Sequence, residues 1–264
     1  MKFNTLLLDI NKSVATVTLN RPEIHNAFND VLIRELHEVF TFLRDNNNIR
    51  AIILTGNGKS FCAGADLNWM KSVKDYTFEQ NYEDSKRLSE MMHLLFTHPK
   101  PIIARINGSA IGGGVGLLSV CDICIADETA KFGLSEVRLG LIPAVISPYV
   151  ISRIGPAKAR EFFITGERIN ADKALEIGLL NKIASADKLD EFINEKINFI
   201  LVSGRNAIKW VKDMIFQVSQ QVFPEIQEYN INLIAKLRHS DEGQEGMNAF
   251  LEKRKPRWGE NYEL

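Results

Sequence analysis

Polar and apolar residues alternate through 14–19, where Val14, Thr16 and Thr18 share one face of an expected strand. Residues 5–8 predict another short strand just before it. Asn29 or Asp30 then stands where a helix cap is needed, and Leu32, Leu36, Val39, Phe40 and Leu43 recur on one helical face. Residues 51–54 are wholly apolar and end at Thr55-Gly56, which suits a strand buried on both faces. A polar helical stretch is predicted from about 78 to 98, then a buried strand over 101–106, a glycine-rich turn opening a helix, and a strand over 121–126. Strand, helix and strand in this order argue for parallel pairing and an α/β class.

After about Pro143 the pattern becomes helical: 157–165, 171–177, 187–200, 207–218, 224–237 and 241–253. No low-complexity linker and no clear internal repeat is visible. This last third reads most simply as an appended layer or an oligomer-forming segment, or as a small second domain.

Composition narrows the function classes. The 264 residues are 45% hydrophobic and 25% charged, with a formal net charge of −1. Such a chain exerts no general electrostatic pull on nucleic acid or acidic lipid. No stretch is apolar enough to span a bilayer, and residues 1–10 lack the features of a signal peptide, so a cytoplasmic location is expected. The three cysteines, Cys62, Cys121 and Cys124, are no disulfide framework. Cys121 and Cys124 form a lone C-x-x-C inside an apolar run and read as small buried hydrophobes.

Several motifs fail on spacing. Gly58-Lys59-Ser60 follows a strand as a phosphate-binding loop would, but the earlier glycine that loop needs is Ile53. The run from Gly112 to Gly116 lacks the last glycine of a dinucleotide fingerprint, with Leu117 and Ser119 at the candidate positions. His93 and His98 do not have the spacing of a helical zinc site, and no G-x-S-x-G is present.

Two glycine-containing turns remain, each after a buried strand: Ser60-Phe-Cys-Ala-Gly-Ala-Asp-Leu67 and Asn107-Gly-Ser-Ala-Ile-Gly-Gly-Gly-Val-Gly116. Small residues there let a ligand approach the backbone closely. The second turn opens a helix, whose free N–H groups favour negative charge. One amide from each turn, aimed at a single thioester oxygen, would form an oxyanion hole and lower the energy of an enolate. Spacing alone leaves equal room for another reading, two tight strand–helix packings with glycine for space.

Arg21-Pro-Glu-Ile-His-Asn-Ala-Phe28, Phe61-Cys-Ala-Gly-Ala-Asp66, the run from Pro101 to Asp122, Phe132-Gly-Leu-Ser-Glu-Val-Arg-Leu-Gly-Leu-Ile-Pro143 and Glu245-Gly-Met-Asn-Ala-Phe-Leu-Glu-Lys-Arg-Lys255 resemble, in order, the enoyl-CoA hydratase/isomerase (crotonase) family. The resemblance implies an α/β core of repeated ββα units wound as a spiral, over residues 1–200. It also implies a helical C-terminal region, 201–264, that builds trimers, often paired into hexamers. The partner it implies is an acyl-CoA thioester, with no metal and no separate cofactor. By motif, the oxyanion amides belong to Ala65 and Gly113. Ala63, Asp66 and Leu67 line the CoA crevice, helped by Ala27, Phe28 and Gly112. Phe250 and Lys253 match positions near the CoA of a neighbouring subunit, although Lys253 also fits a solvated basic tail.

Typical two-glutamate hydratases of this family carry one glutamate in the helix after the triple glycine and one in the F-G-x-x-E segment. The second is present as Glu136; the first position is Gly116. Either one carboxylate makes every proton transfer, or the reaction is not hydration. The segments 64–70, 114–117 and 135–148 look like bacterial 3-methylglutaconyl-CoA hydratases, which are thought to work with one glutamate. Ala144 after the proline fits that group. Such a substrate carries a free carboxylate, for which Arg138 is a candidate partner, with a structural role the stronger reading. Hydration of a short, branched enoyl-CoA is the expected activity. A Δ3,Δ2-enoyl-CoA isomerase is the alternative, and a non-catalytic CoA- or RNA-binding protein on the same scaffold a third.

Overall fold

A computed structural model describes residues 2–73, 75–220 and 225–259. The chain opens with strands β1 (Leu6–Asn11) and β2 (Val14–Leu19), then helix α1 (Asp30–Asp45). Strands β3 (Ala51–Gly56) and β4 (Ser60–Cys62) lead into helices α2 (Leu67–Val73) and α3 (Phe78–Phe96). Strands β5 (Ile102–Ile106) and β6 (Ser109–Ile111) lead into α4 (Gly113–Ser119), and β7 (Ile123–Asp127) and β8 (Lys131–Gly133) into α5 (Ser147–Thr165). There follow β9 (Arg168–Asn170), α6 (Ala171–Glu176), β10 (Lys182–Ala184), and helices α7 (Leu189–Leu201), α8 (Arg205–Gln220), α9 (Glu225–His239) and α10 (Asp241–Leu251).

The unit that repeats is therefore strand, strand, helix: β3-β4, β5-β6 and β7-β8 are each followed by helix. The first strand of each pair joins a six-stranded sheet of order β1-β2-β3-β5-β7-β10, and the second joins a four-stranded sheet of order β4-β6-β8-β9. Pairing is parallel from β2 through β10 in the large sheet and from β4 through β8 in the small one. Antiparallel pairs close both sheets, β1 on β2 and β9 on β8. This is the expected α/β fold of ββα units, and it exposes a repeat that the sequence pattern hides.

Local chemistry explains several boundaries. Asn29 caps α1, its side chain accepting from the Leu32 N–H at 2.9 Å. The predicted face of α1, Leu32, Leu36, Val39, Phe40 and Leu43, is fully buried. Glu35 shares that buried side. Its carboxylate accepts from the Asn4 and Thr5 N–H groups at 2.8 Å each, which ties the N-terminal segment to the helix. Thr77 and Gln80 form a reciprocal capping box that starts α3. Strand β1 runs to Asn11, three residues beyond the expected 5–8, because its register with β2 continues to the Asn11–Val14 pair.

The region after Pro143 departs from the all-helical expectation. Strands β9 and β10 lie within it, each three residues long. The helical segment Ser147–Thr165 starts ten residues before the expected 157 and is interrupted at Gly155, whose φ is 74°, just before Pro156. Proline cannot donate the next helical hydrogen bond, so the two halves meet at a break.

By contact density the chain divides into two compact units, residues 1–98 with 102–193, and 99–101 with 194–264. In the second, α8, α9 and α10 pack on one another. Glu242 satisfies the first turn of α8, accepting from Asn206 N–H at 3.0 Å and Ala207 N–H at 2.7 Å. Glu245 is buried and takes both arms of the Arg254 guanidinium, at 2.7 and 3.1 Å, plus the Arg257 N–H at 2.9 Å. These partners hold its carboxyl well below the usual range. The predicted helix end at 224 lies outside the described residues. Among the described residues no helix is long and apolar enough to cross a membrane.

Candidate active site

Three backbone segments meet where β4, β6 and β8 end. These strands run parallel, so their C-terminal ends lie at one edge of the small sheet. Ala63–Leu67 follows β4, Gly112–Gly113 follows β6, and Leu134–Glu136 follows β8. A site outside the carboxyl ends of parallel strands is the general location for ligands in such sheets. The sequence expectation put the long strands directly before the glycine turns. Instead each turn follows its own three-residue strand, too short to leave a periodic signal.

The direction of the Ala65 amide follows from a single parallel bridge. The Phe28 N–H donates to Gly64 O at 2.6 Å and the Asp66 N–H donates to Phe28 O at 2.8 Å. In such a bridge the residue between those two partners turns its own N–H to the other side. Ala65 is exposed, and Gly64 reaches φ +90°, which a side chain rarely adopts. The Gly113 amide is the first of α4 and has no acceptor within the helix. The two turns touch: a Cβ on Gly64 would stand 2.9 Å from Ile111 O and 3.8 Å from the Gly113 nitrogen. Phe28 spaces them, its ring 3.1 Å from where a Gly113 Cβ would be.

Glu136 enters from the third segment. The Gly112 N–H donates to Gly133 O at 2.7 Å, locking the end of β8 to the second turn. Three residues on, the Glu136 carboxylate lies over Gly112, with Oε1 3.1 Å from the position a Cβ would take. Its Oε2 is buried without a hydrogen-bond partner among the described residues. Burial pushes the Glu136 carboxyl upward from the ordinary glutamate value.

One helical turn beyond Gly112, Gly116 faces Ile146. A Cβ on Gly116 would lie 2.2 Å from the Ile146 Cγ2 and 2.7 Å from its Cβ. Ile146 is itself buried. The space a second carboxylate would need is thus filled by an apolar side chain. Ile146 lies within the segment 135–148, but sequence reasoning gave it no role, because its contact with Gly116 spans 30 positions.

The other expected residues fall as follows. Ala27 is buried, Ala63 is half-buried, and Leu67 is 73% exposed at the start of α2. Asp66 is buried, and its carboxylate is turned to the Arg21 guanidinium at 2.7 Å, which holds it below the usual range despite burial. Arg138 is exposed and packs over the turn at Gly166, where a Cβ would lie 3.3 Å from its Nε. Phe250 and Lys253 belong to the second unit, Phe250 83% exposed and Lys253 in the left-handed region at φ 54°. All three cysteines are buried, and the Cys121 and Cys124 thiols donate to Leu117 O and Leu118 O. Burial raises Cys62 to about 12 and Cys124 to about 11, so neither offers a thiolate. Among the described residues no cluster of three metal-ligating side chains occurs.

Two such amides near a carboxylate with one buried, unpartnered oxygen can stabilise an oxyanion while moving a proton at a neighbouring carbon. Known proteins are similar to this chain over nearly its whole length. A short-chain-enoyl-CoA hydratase from Clostridium acetobutylicum is 34% identical over 257 residues, 97% of each chain. A trans-2-decenoyl-acyl-carrier-protein isomerase from Streptococcus mutans is 29% identical over 263 residues, 98% of this chain and 99% of that one. The crystal structure of an enoyl-CoA hydratase from Shewanella pealeana superposes with a TM-score of 0.94 at 41% identity, over 97% of both chains. The family pattern described as enoyl-CoA hydratase/isomerase matches residues 9–261. The chain belongs to the enoyl-CoA hydratase/isomerase family.

Proposed function

We propose that this protein is a hydratase of short enoyl-CoA thioesters, with 3-methylglutaconyl-CoA as the branched substrate to test first, and that Glu136 carries every proton. The observation that supports this most is the lone carboxylate: Glu136 stands over Gly112 with an unpartnered oxygen, while Gly116 and Ile146 close the neighbouring position to any second acid.

In this reading the thioester oxygen takes the Ala65 and Gly113 amides. Glu136 accepts a proton from water as the water oxygen bonds to C3 of the 2-enoyl group. The electron pair of the double bond moves to the enolate held by the two amides. Protonated Glu136 then returns the proton to C2. A raised carboxyl pKa suits a group that must both take and give a proton. The thioester itself acidifies C2, so no metal or redox cofactor has a part. Gly112, Ala63, Ala27, Phe28 and Leu67 line the approach for CoA. Exposed apolar side chains on the second unit, including Ile215, Ile231, Ile234, Phe250 and Leu251, favour assembly into trimers or hexamers, with Phe250 and Lys253 near the CoA of a neighbour. A cytoplasmic location goes with this reading.

The second reading is Δ3,Δ2-enoyl-CoA isomerisation. The same absence of a second acid supports it, because moving one proton between C4 and C2 needs a single base. The isomerase relative is in keeping with it. A purely binding role is less well supported, since a carboxylate with a buried, unpartnered oxygen stands over Gly112, next to the Gly113 amide.

Turnover of 3-methylglutaconyl-CoA and crotonyl-CoA in ¹⁸O-water separates the two reactions. Labelled 3-hydroxyacyl-CoA supports hydration. No label with either substrate, together with conversion of 3-enoyl-CoA, supports isomerisation instead. Glu136→Gln should lose turnover by a factor of about 100 or more while keeping CoA binding; normal turnover of that variant excludes Glu136 as the proton carrier.

A further inference from the structure

A single bridge of two hydrogen bonds is a slight hold for an amide that must point in one direction. The bridge between Phe28 and Ala65 is isolated from both sheets, and Ala65 is exposed. Next to it the Ala63 N–H donates to His25 O at 3.0 Å, and side chains add to this hold on residues 25–28 and 63–67. The Arg21 guanidinium spans the two segments. One arm donates to Ala27 O at 2.6 Å and the other to Asp66 Oδ2 at 2.7 Å. The pair is largely shielded, with side-chain exposures of 14% and 8%. The second Asp66 oxygen accepts from the Asn68 N–H at 2.8 Å, which fixes the first turn of α2. Arg21 is itself anchored: its N–H donates to Asn26 Oδ1 at 2.9 Å, and the Asn26 amide donates to Asn57 O and Ser60 O.

We infer that Arg21 and Asp66 are positioning residues, a charged strap that aims the Ala65 N–H at the thioester oxygen; this rests on the oxyanion role proposed above. Asp66 thereby acts on catalysis through the Ala65 backbone, with its carboxylate engaged by Arg21 and its exposed face small. A planar two-armed cation suits the task, because it holds a carbonyl and a carboxylate at a fixed separation. Lysine carries its three donors on one nitrogen, so it can bridge the two acceptors but cannot set their separation.

The test reads the polarisation of the bound carbonyl. Butyryl-CoA with ¹³C at the thioester carbon has no double bond to hydrate, and its carbonyl stretch falls when donors grip the oxygen. Infrared difference spectra are recorded on wild type, Arg21→Gln, Arg21→Lys and Glu136→Gln, each saturated with this ligand. The expected result is a clear downshift in wild type and Glu136→Gln, and loss of about half of it or more in Arg21→Gln. In Arg21→Gln, kcat should fall about tenfold to a hundredfold with KM within about threefold, since a misaimed donor weakens the transition state more than binding. If Arg21→Gln does not fold, Arg21→Lys reads the same quantity, with a smaller loss expected. A full downshift in every Arg21 variant that binds ligand overturns the strap while leaving the oxyanion hole intact. No downshift in wild type overturns the oxyanion role, and the strap with it.

Discussion

The two glycine turns face the same edge of the small sheet and both need glycine, at Gly64 in the first, but only the first is also held by an ion pair. The first turn is positioned by charge, through Arg21 and Asp66. The second is positioned by the absence of side chains. Gly113 lies against the Phe28 ring, Gly114 against Cys62 O, and Gly116 against Ile146, each too close for an added Cβ to fit unmoved. The carboxylates record the difference. Asp66, beside a guanidinium, titrates below the ordinary aspartate value, and Glu136, over Gly112, above the ordinary glutamate value. Burial acts on both; a fixed cation outweighs it only at the first turn. The lesson is that equivalent-looking amides can fail differently, both through added volume but only the first through lost charge.

The largest expected effect comes from forcing volume into the second turn. A Cβ on Gly114 would lie 2.2 Å from Cys62 O and 3.0 Å from the Cys62 carbonyl carbon. These are backbone atoms of the strand end that leads into the first turn, so they cannot rotate away. Gly114→Ala should destabilise by about 3 kcal/mol, more than the roughly 1 kcal/mol that alanine gains in a helix. Urea unfolding measures it. An unchanged midpoint would mean that the two turns are not in fixed contact.

A smaller effect is expected one turn further on, where the obstacle is a side chain. Gly116→Ala meets the Ile146 branch at 2.2 Å, and Ile146 can shift or be trimmed. The single change should destabilise by about 2 kcal/mol, and Ile146→Ala should cost about 2 kcal/mol less in that background than in wild type, because it also relieves the clash. Each single variant and the double are compared by unfolding midpoint. Strict additivity would show that Ile146 does not close this position.

How far this contrast was readable beforehand depends on which physical signal each part leaves. The long strands and α1 show in the pattern because one face of each is buried over several residues. The glycine turns show because small residues there are unusual beside buried strands, and Glu136 and Gly116 stood out by resemblance of motif. Strands β4, β6, β8, β9 and β10 did not show, since three residues cannot display a period of two, and with them went the ββα repeat. Arg21 and Asp66 are 45 positions apart and Gly116 and Ile146 are 30 apart in the numbering, so neither contact has a local signature. Sequence named the groups proposed to do the chemistry more readily than the groups proposed to aim or confine them.

The smallest expected effect is at the charged strap. Asp66→Asn keeps an oxygen for the Asn68 N–H but removes the charge opposite Arg21, and should destabilise by about 1 kcal/mol at pH 7. The pH dependence identifies the cause. Asp66 has a depressed pKa in the folded state, so its contribution is complete above the unfolded aspartate value, about 3.9, and is lost as pH falls through the folded value. The gap between wild type and Asp66→Asn should therefore be level from pH 5 to 8 and narrow progressively below about pH 4. Glu136 moves the other way: its ionised form takes the proton from water, so kcat/KM should rise with pH through a value above that of an ordinary glutamate. Unfolding series and initial rates over the same pH range, on wild type and Asp66→Asn, give both curves. A stability gap that persists unchanged at pH 3 would remove Asp66 ionisation as the source of the strap. A rate profile whose acid limb falls at the ordinary glutamate value would mean that the Glu136 carboxylate is wetter than its burial implies.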